Sequence, residues 1–189
     1  MKLLDIEKVR DGKYLKNYEL TYLNKAGKEK KYEIVSRSEI PDKESLGTSV
    51  SGISMVVLCD HKLLLLKEFR MGINRTIYNL CAGLLEPGET IEDCARRELY
   101  EETGLRLRRI IDILPPSFAA VAISDIQTQI VLVEAEGVFS DHTSDNEQIQ
   151  AQFYSREECK ELLETAEFSS RSQLIAYFFT KNAFSGLDN

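Results

Sequence analysis

The rhythm of hydrophobic and polar positions changes along the chain. Tyr18-Glu19-Leu20-Thr21-Tyr22-Leu23 alternates at period two, and Lys31-Tyr32-Glu33-Ile34-Val35 does so again after the turn Asn24-Lys25-Ala26-Gly27. That pattern predicts a β-hairpin. A two-stranded hairpin is marginal alone. Residues 1–46 are therefore expected to form a small antiparallel β unit that packs on a main domain, residues 47–189, or on a second chain. Residues 42–52, polar with two glycines and several serines, read as the linker. Ile53–Leu58 and Leu63–Phe69 are short apolar strands around the turn Cys59-Asp60-His61, and Thr76–Cys81 reads as another. Arg109–Leu114 and Gln129–Glu134 follow as strands, joined by the loop Pro115–Asp125. A polar, acidic loop, Gly137–Glu147, precedes the strand Gln148–Tyr154. Helices are predicted over Ser155–Glu164, where Ser155 and Glu158 suggest a capping box, and over Ser170–Thr180. Strands mixed with a few helices, without regular alternation, say α+β.

One stretch carries candidate chemistry. Gly83–Leu105 reads GLLEPGETIEDCARRELYEETGL. Pro87-Gly88 marks a turn, Thr90 with Asp93 suggests a helix start, and Gly104 is a natural helix stop. On that helix Glu98, Glu101 and Glu102 share one side, next to an apolar stripe of Ile91, Ala95 and Leu99. Like charges so close repel unless something positive sits among them. A hard divalent cation with oxygen ligands suits them, and magnesium in particular, which keeps waters and takes up substrate phosphates.

Composition narrows the alternatives. With 189 residues and 43% hydrophobic content, the chain can bury a sizeable core. Its 24 basic and 31 acidic residues give a net charge of -7, which argues against nucleic acid and membrane surfaces as partners. No apolar run reaches the length of a signal peptide or a membrane span, so a cytoplasmic location is expected. Four cysteines without C-x-x-C pairing and only two histidines disfavour a structural zinc site, a disulfide frame and a Ser-His-Asp hydrolase.

Gly83, Glu89, Arg97, Glu98, Leu99, Glu101, Glu102, Gly104 and Leu105 resemble the Nudix box, G-x5-E-x7-R-E-U-x-E-E-x-G-U, without a gap or mismatch. The resemblance implies the Nudix α/β/α sandwich with a mixed sheet. An N-terminal β unit, Lys67-Glu68-Phe69-Arg70 and the run Ala82–Glu89 look like the branch that hydrolyses ADP-ribose and related nucleoside diphosphate sugars, commonly as homodimers. Two departures stand out. The branch's E-x-P-A-G is Asn79-Leu80-Cys81-Ala82-Gly83 here, and the proline of its later loop is replaced by Ala120-Val121-Ala122.

The resemblance also implies roles. Glu98 and Glu102 would be the main metal ligands, with the Ala82 carbonyl and Glu147 completing the set and Glu89 in support. The metal would be Mg2+, with Mn2+ as the alternative. Glu101 would bind a further ion or orient the water, and Arg97 would hold Glu101 in place. Asp145 occupies the position of the branch's general base, and Arg70 that of an arginine on the diphosphate. Arg37 and Tyr32, on the second strand of the hairpin, are candidates for a phosphate contact and a base-stacking face, the alternative being a plain amphipathic hairpin. The implied reaction is metal-dependent cleavage of a small nucleoside diphosphate sugar to a nucleoside monophosphate and a sugar phosphate. Other Nudix substrates (a dinucleotide polyphosphate, a coenzyme, a nucleoside triphosphate) and a non-catalytic ligand sensor are the alternatives.

Overall fold

A computed structural model of the chain describes residues 1–187. They form two compact units, Met1–Ser51 with Pro115–Gln129, and Gly52–Leu114 with Ile130 onward.

The smaller unit is built on three antiparallel strands, β1 (Lys2–Asp11), β2 (Lys16–Leu23) and β3 (Glu29–Ser36), in that order. The expected hairpin is β2–β3, with Leu20 opposite Tyr32. The third strand, β1, is a correction to the two-stranded reading. It is largely exposed and rich in charge, so it carries no alternation to betray it. Tyr18, Leu20, Ile34 and Ile40 form the core. The Tyr18 hydroxyl accepts from Ile40 N–H at 2.9 Å and donates to Glu39 at 3.2 Å, so the buried ring keeps its polar end satisfied. The stretch expected to be a linker contains a 3-10 turn, Lys43–Ser45, capped by Asp42. Residues 115–129 belong here because they pair with this sheet. Val35 N–H donates to Ile123 O at 2.8 Å, and the Tyr32 hydroxyl donates to Ala122 O.

The larger unit is a three-layer sandwich. Its strands are β4 (Val50–Cys59), β5 (Lys62–Arg70), β6 (Arg75–Asn79), β7 (Cys81–Leu84), β8 (Arg106–Ile113), β10 (Gln127–Glu136) and β11 (Ile149–Tyr154). A two-residue β9 (Ser117–Phe118) pairs with the start of β10. The mixed sheet runs β11-β5-β4-β10-β8, with β6 on β5 and β7 on β4. The single strand expected over Thr76–Cys81 is thus two strands with different partners.

Both sheet faces are covered, which explains the unbroken apolar runs in β4 and β5. Ile53, Met55, Val57, Leu64 and Leu66 point to one face, where α1 (Ile91–Thr103) supplies Cys94, Ala95 and Leu99. Val56, Leu58, Leu63 and Leu65 point to the other, against Cys159 of α2 (Arg156–Thr165) and Ala176 and Phe179 of α3 (Ser170–Thr180). The helix ends follow the sequence signals. Thr90 caps α1 through Asp93 N–H, Gly104 closes it in the left-handed region at φ 76°, and Ser155 with Glu158 forms the predicted capping box. No helix among the described residues is long and apolar enough to cross a membrane.

Candidate active site

The site grows from the contact between β7 and α1. A Cβ added at Gly83 would fall inside the Glu98 carboxyl group, so only glycine lets that side chain lie against the strand. One residue back, Ala82 N–H donates to Glu102 Oε2 at 3.1 Å. Strand backbone and helix carboxylates therefore interlock.

Arg97 is the hub. Its Nε and Nη2 grip both oxygens of Glu89 at 2.8 and 2.9 Å, and Nη2 also reaches Leu84 O at 2.9 Å. Nη1 donates to Glu98 at 2.7 Å and to Glu101 at 3.2 Å. The expected Arg97–Glu101 contact is present, and it is the longest of Arg97's three carboxylate pairings. Glu89 also accepts from Glu86 N–H at 2.9 Å. With the guanidinium first and that backbone bond second, its carboxyl is held down at about 2. Glu89 thus touches the cluster through Arg97.

Glu98 and Glu102 behave in the opposite way. Burial raises Glu98, Arg97 opposes the rise, and the charges of Glu101 and Glu147 add to it. Burial pushes Glu102 up to about 8, against hydrogen bonds from the Cys81 thiol and Ala82 N–H and with the charges of Glu98 and Glu68 beside it. Such a carboxyl is protonated at neutral pH unless a counter-charge arrives. Among the described residues no three carboxylate, imidazole or thiol groups form a ready-made metal cage, and Arg97 Nη1 stands between Glu98 and Glu101. The donors on offer are nonetheless all hard oxygens. A divalent cation is the counter-charge that would ionise Glu102, so the residues fit one.

The acidic loop Gly137–Glu147 is tied to the end of α1. Ser140 N–H donates to Thr103 O at 3.0 Å, and a Cβ on Gly104 would overlap Ser140. His142 stacks on Tyr100 with ring centroids 4.4 Å apart. Glu147 accepts from Ser144 N–H at 3.2 Å and Ser144 Oγ at 2.9 Å, and its charge is felt at Glu98. Asp145 is exposed in the turn and makes no side-chain hydrogen bond or ion pair among the described residues. The structure brings Glu147 towards the cluster and leaves Asp145 in solvent.

Arg70 ends β5 with its guanidinium mostly exposed and 3.4 Å from Glu68. Glu68 is a residue the sequence reading passed over. It is 5% exposed and accepts from Asn79 Nδ2 at 2.6 Å. Period two would have found it, because Leu64, Leu66 and Glu68 share the face turned to α1. Tyr32 and Arg37 belong to the smaller unit. Tyr32 lies on β3, the third strand rather than the second, and lines a cavity of about 310 Å³ with Leu20, Tyr22, Phe118 and Val121. Arg37 is exposed just past the end of β3.

The family model for the NUDIX domain matches residues 49–178. The chain belongs to the Nudix family. Its Nudix region is similar to the ADP-sugar pyrophosphatase of Mus musculus, 29% identical over 131 residues, which is 69% of this chain and 60% of the mouse protein. It is also similar to the ADP-ribose pyrophosphatase of Bacillus subtilis (strain 168), 28% identical over 133 residues, 68% of this chain and 71% of that protein. A crystal structure of an ADP compounds hydrolase superposes with a TM-score of 0.73 at 21% identity, covering 98% of this chain and 94% of its own, which establishes the shared Nudix fold. In this Nudix chain the box glycine, arginine and glutamates make the contacts described above, with Arg97 at their centre.

Proposed function

We propose that this Nudix protein hydrolyses the diphosphate bond of ADP-ribose or a related nucleoside diphosphate sugar, giving a nucleoside monophosphate and a sugar phosphate. The observation that carries this reading is the Glu98–Glu101–Glu102 cluster, organised by Arg97 and set against Gly83. The names of the mouse and B. subtilis relatives supply the substrate class.

Glu98 and Glu102 would hold a divalent cation, Mg2+ by preference, with the Ala82 carbonyl and Glu147. Bound there, a divalent cation would supply the charge that offsets the diphosphate oxygens and lowers the pKa of a water. The protein's own groups do the rest. Arg70 offers a planar donor fork to the phosphates. Glu101 orients the attacking water, and Asp145 accepts its proton as the oxygen joins phosphorus and the P–O–P bridge opens. Arg97, with Glu89 behind it, keeps Glu98 and Glu101 in register. Tyr32 offers a stacking face to the base, and Arg37 a further phosphate contact.

Two wider readings accompany the chemistry. A homodimer is proposed on the family resemblance alone, since Leu20 and Ile34 of the N-terminal sheet are already buried within their own unit, and a monomeric mass at micromolar concentration would overturn it. Four free cysteines, three of them buried, suit the cytoplasm. The deciding experiment is a panel of nucleoside diphosphate sugars, dinucleotide polyphosphates and nucleoside triphosphates, assayed for phosphate products with and without magnesium. ADP-ribose or a sugar analogue should be cleaved fastest, and only with metal. Preference for a triphosphate would move the protein to another Nudix class.

A further inference from the structure

Glu68 is a buried carboxylate on a strand whose neighbouring residues on that face, Leu64 and Leu66, are core. Packing alone calls for an apolar residue there. The carboxylate is instead placed at the end of a continuous polar line. Ser172 Oγ, in the first turn of α3, lies 2.9 Å from Tyr78 O and donates its one hydroxyl proton to Oγ of Ser169, the helix cap, at 2.6 Å, since Ser169 gives its own proton onward. Ser169 Oγ donates to Asn79 Oδ1 at 2.8 Å. The amide nitrogen of Asn79 donates to Glu68 Oε1 at 2.6 Å, and Glu68 Oε2 faces Arg70 Nη1 at 3.4 Å. The line therefore runs from α3, through β6, to an arginine at the end of β5.

Each link has its orientation set by the one before it. The serine hydroxyl assigns the Asn79 carbonyl, which turns the Asn79 amide to Glu68. That bond leaves the second Glu68 oxygen for the guanidinium. Among the described residues Arg70 meets only this one carboxylate oxygen, so most of its five donors remain open. A long side chain at an exposed strand end would otherwise sample many rotamers, and ordering it on binding would cost affinity.

We propose that Glu68 is a positioning residue for substrate binding: anchored through Asn79 to the cap of α3, it holds the Arg70 guanidinium in the orientation that receives the diphosphate. The proposal rests on Arg70 being the phosphate-contacting residue of the function proposed above.

The test uses the full chain, and both substrate kinetics and calorimetric titration with inorganic diphosphate in magnesium buffer. Glu68→Gln keeps the size and the acceptor for Asn79 but turns a neutral amide to Arg70. It should raise KM about tenfold and leave kcat within about twofold, the pattern of lost uniform binding. Arg70→Ala should raise KM at least as much. The double variant should be no worse than Arg70→Ala alone, because Glu68 acts through that guanidinium. Affinity for inorganic diphosphate should follow the same pattern, with thermal midpoints of all variants within a few degrees of wild type. Multiplying effects of the two substitutions would overturn the proposal. So would a Glu68→Gln variant that loses kcat at constant KM, or wild-type protein whose diphosphate affinity ignores Arg70. If no compound in the panel is hydrolysed but diphosphate binding still shows the coupling, the positioning role stands and the substrate assignment fails.

Discussion

Helix α1 and the loop Gly137–Glu147 both bring carboxylates to the candidate site, but they hold them by different means. On α1 the carboxylates sit on a rigid element, and Glu98 in particular is over-determined. A capped start, a buried stripe, the contact with Gly83 and the Arg97 clamp all fix the same geometry. The loop is pinned at Ser140 and by the His142–Tyr100 stack, and beyond those points it depends on its own turn. Glu147 is held by Ser144, and Asp145 by no side-chain hydrogen bond or ion pair among the described residues. The contrast is between a carboxylate cluster built into a helix and an acidic loop tip tied down by its own turn.

The comparison is broken most severely on the helix side. Glu98→Gln or Glu102→Gln keeps size and helix propensity while removing charge. Turnover should fall about 10³-fold, the upper range for losing a charge-stabilising group, with circular dichroism unchanged. Wild-type turnover in Glu98→Gln would show that the box is not the reacting centre. On the loop side, Asp145→Asn should lower the maximal rate about 10²-fold, the lower range for a general base, and added magnesium should not restore it. Glu147→Gln should behave differently, shifting the magnesium concentration for half-activity upward about tenfold, with excess metal recovering most of the rate. A rate loss in that variant insensitive to magnesium would remove Glu147 from the ligand set. The smallest effect concerns the pin. His142→Ala removes a stack worth about 1 kcal/mol, so the thermal midpoint should drop by about 2–4 °C at most. Amide exchange should quicken in residues 137–147 while the middle of α1 stays protected.

Legibility followed the same division. The limits of α1 were readable because Thr90, Pro87-Gly88 and Gly104 are local signals, and the leucine run of β5 because burial on both faces leaves no polar gap. The break at Leu80 was not, since Tyr78 and Ala82 continue one apolar pattern and only their strand partners differ. Strand β1 was hidden by its exposed charges. The attachment of residues 115–129 to the N-terminal sheet was hidden because it runs through backbone bonds such as Val35 to Ile123. In the site, spacing exposed the Arg97–Glu101 pair, whereas the stronger grip of Arg97 on Glu89 spans a turn whose path only folding sets. Glu68 was within reach of the strand period, and a charged residue in register with leucines was the clue.

Gly104 ends α1 and also makes room for Ser140, so one small residue serves both the helix and the loop that follows three strands later. Changes in chain length are consequently unequal in their effects on either side of Ser140. Residues added before it would pull on the last turn of α1 and on Glu102 with it. Residues added between His142 and Ser144 would lengthen the reach of Asp145 and Glu147 while the helix cluster kept its shape. That short interval is where recombination or design could refit the protein to a bulkier diphosphate without rebuilding its charge centre.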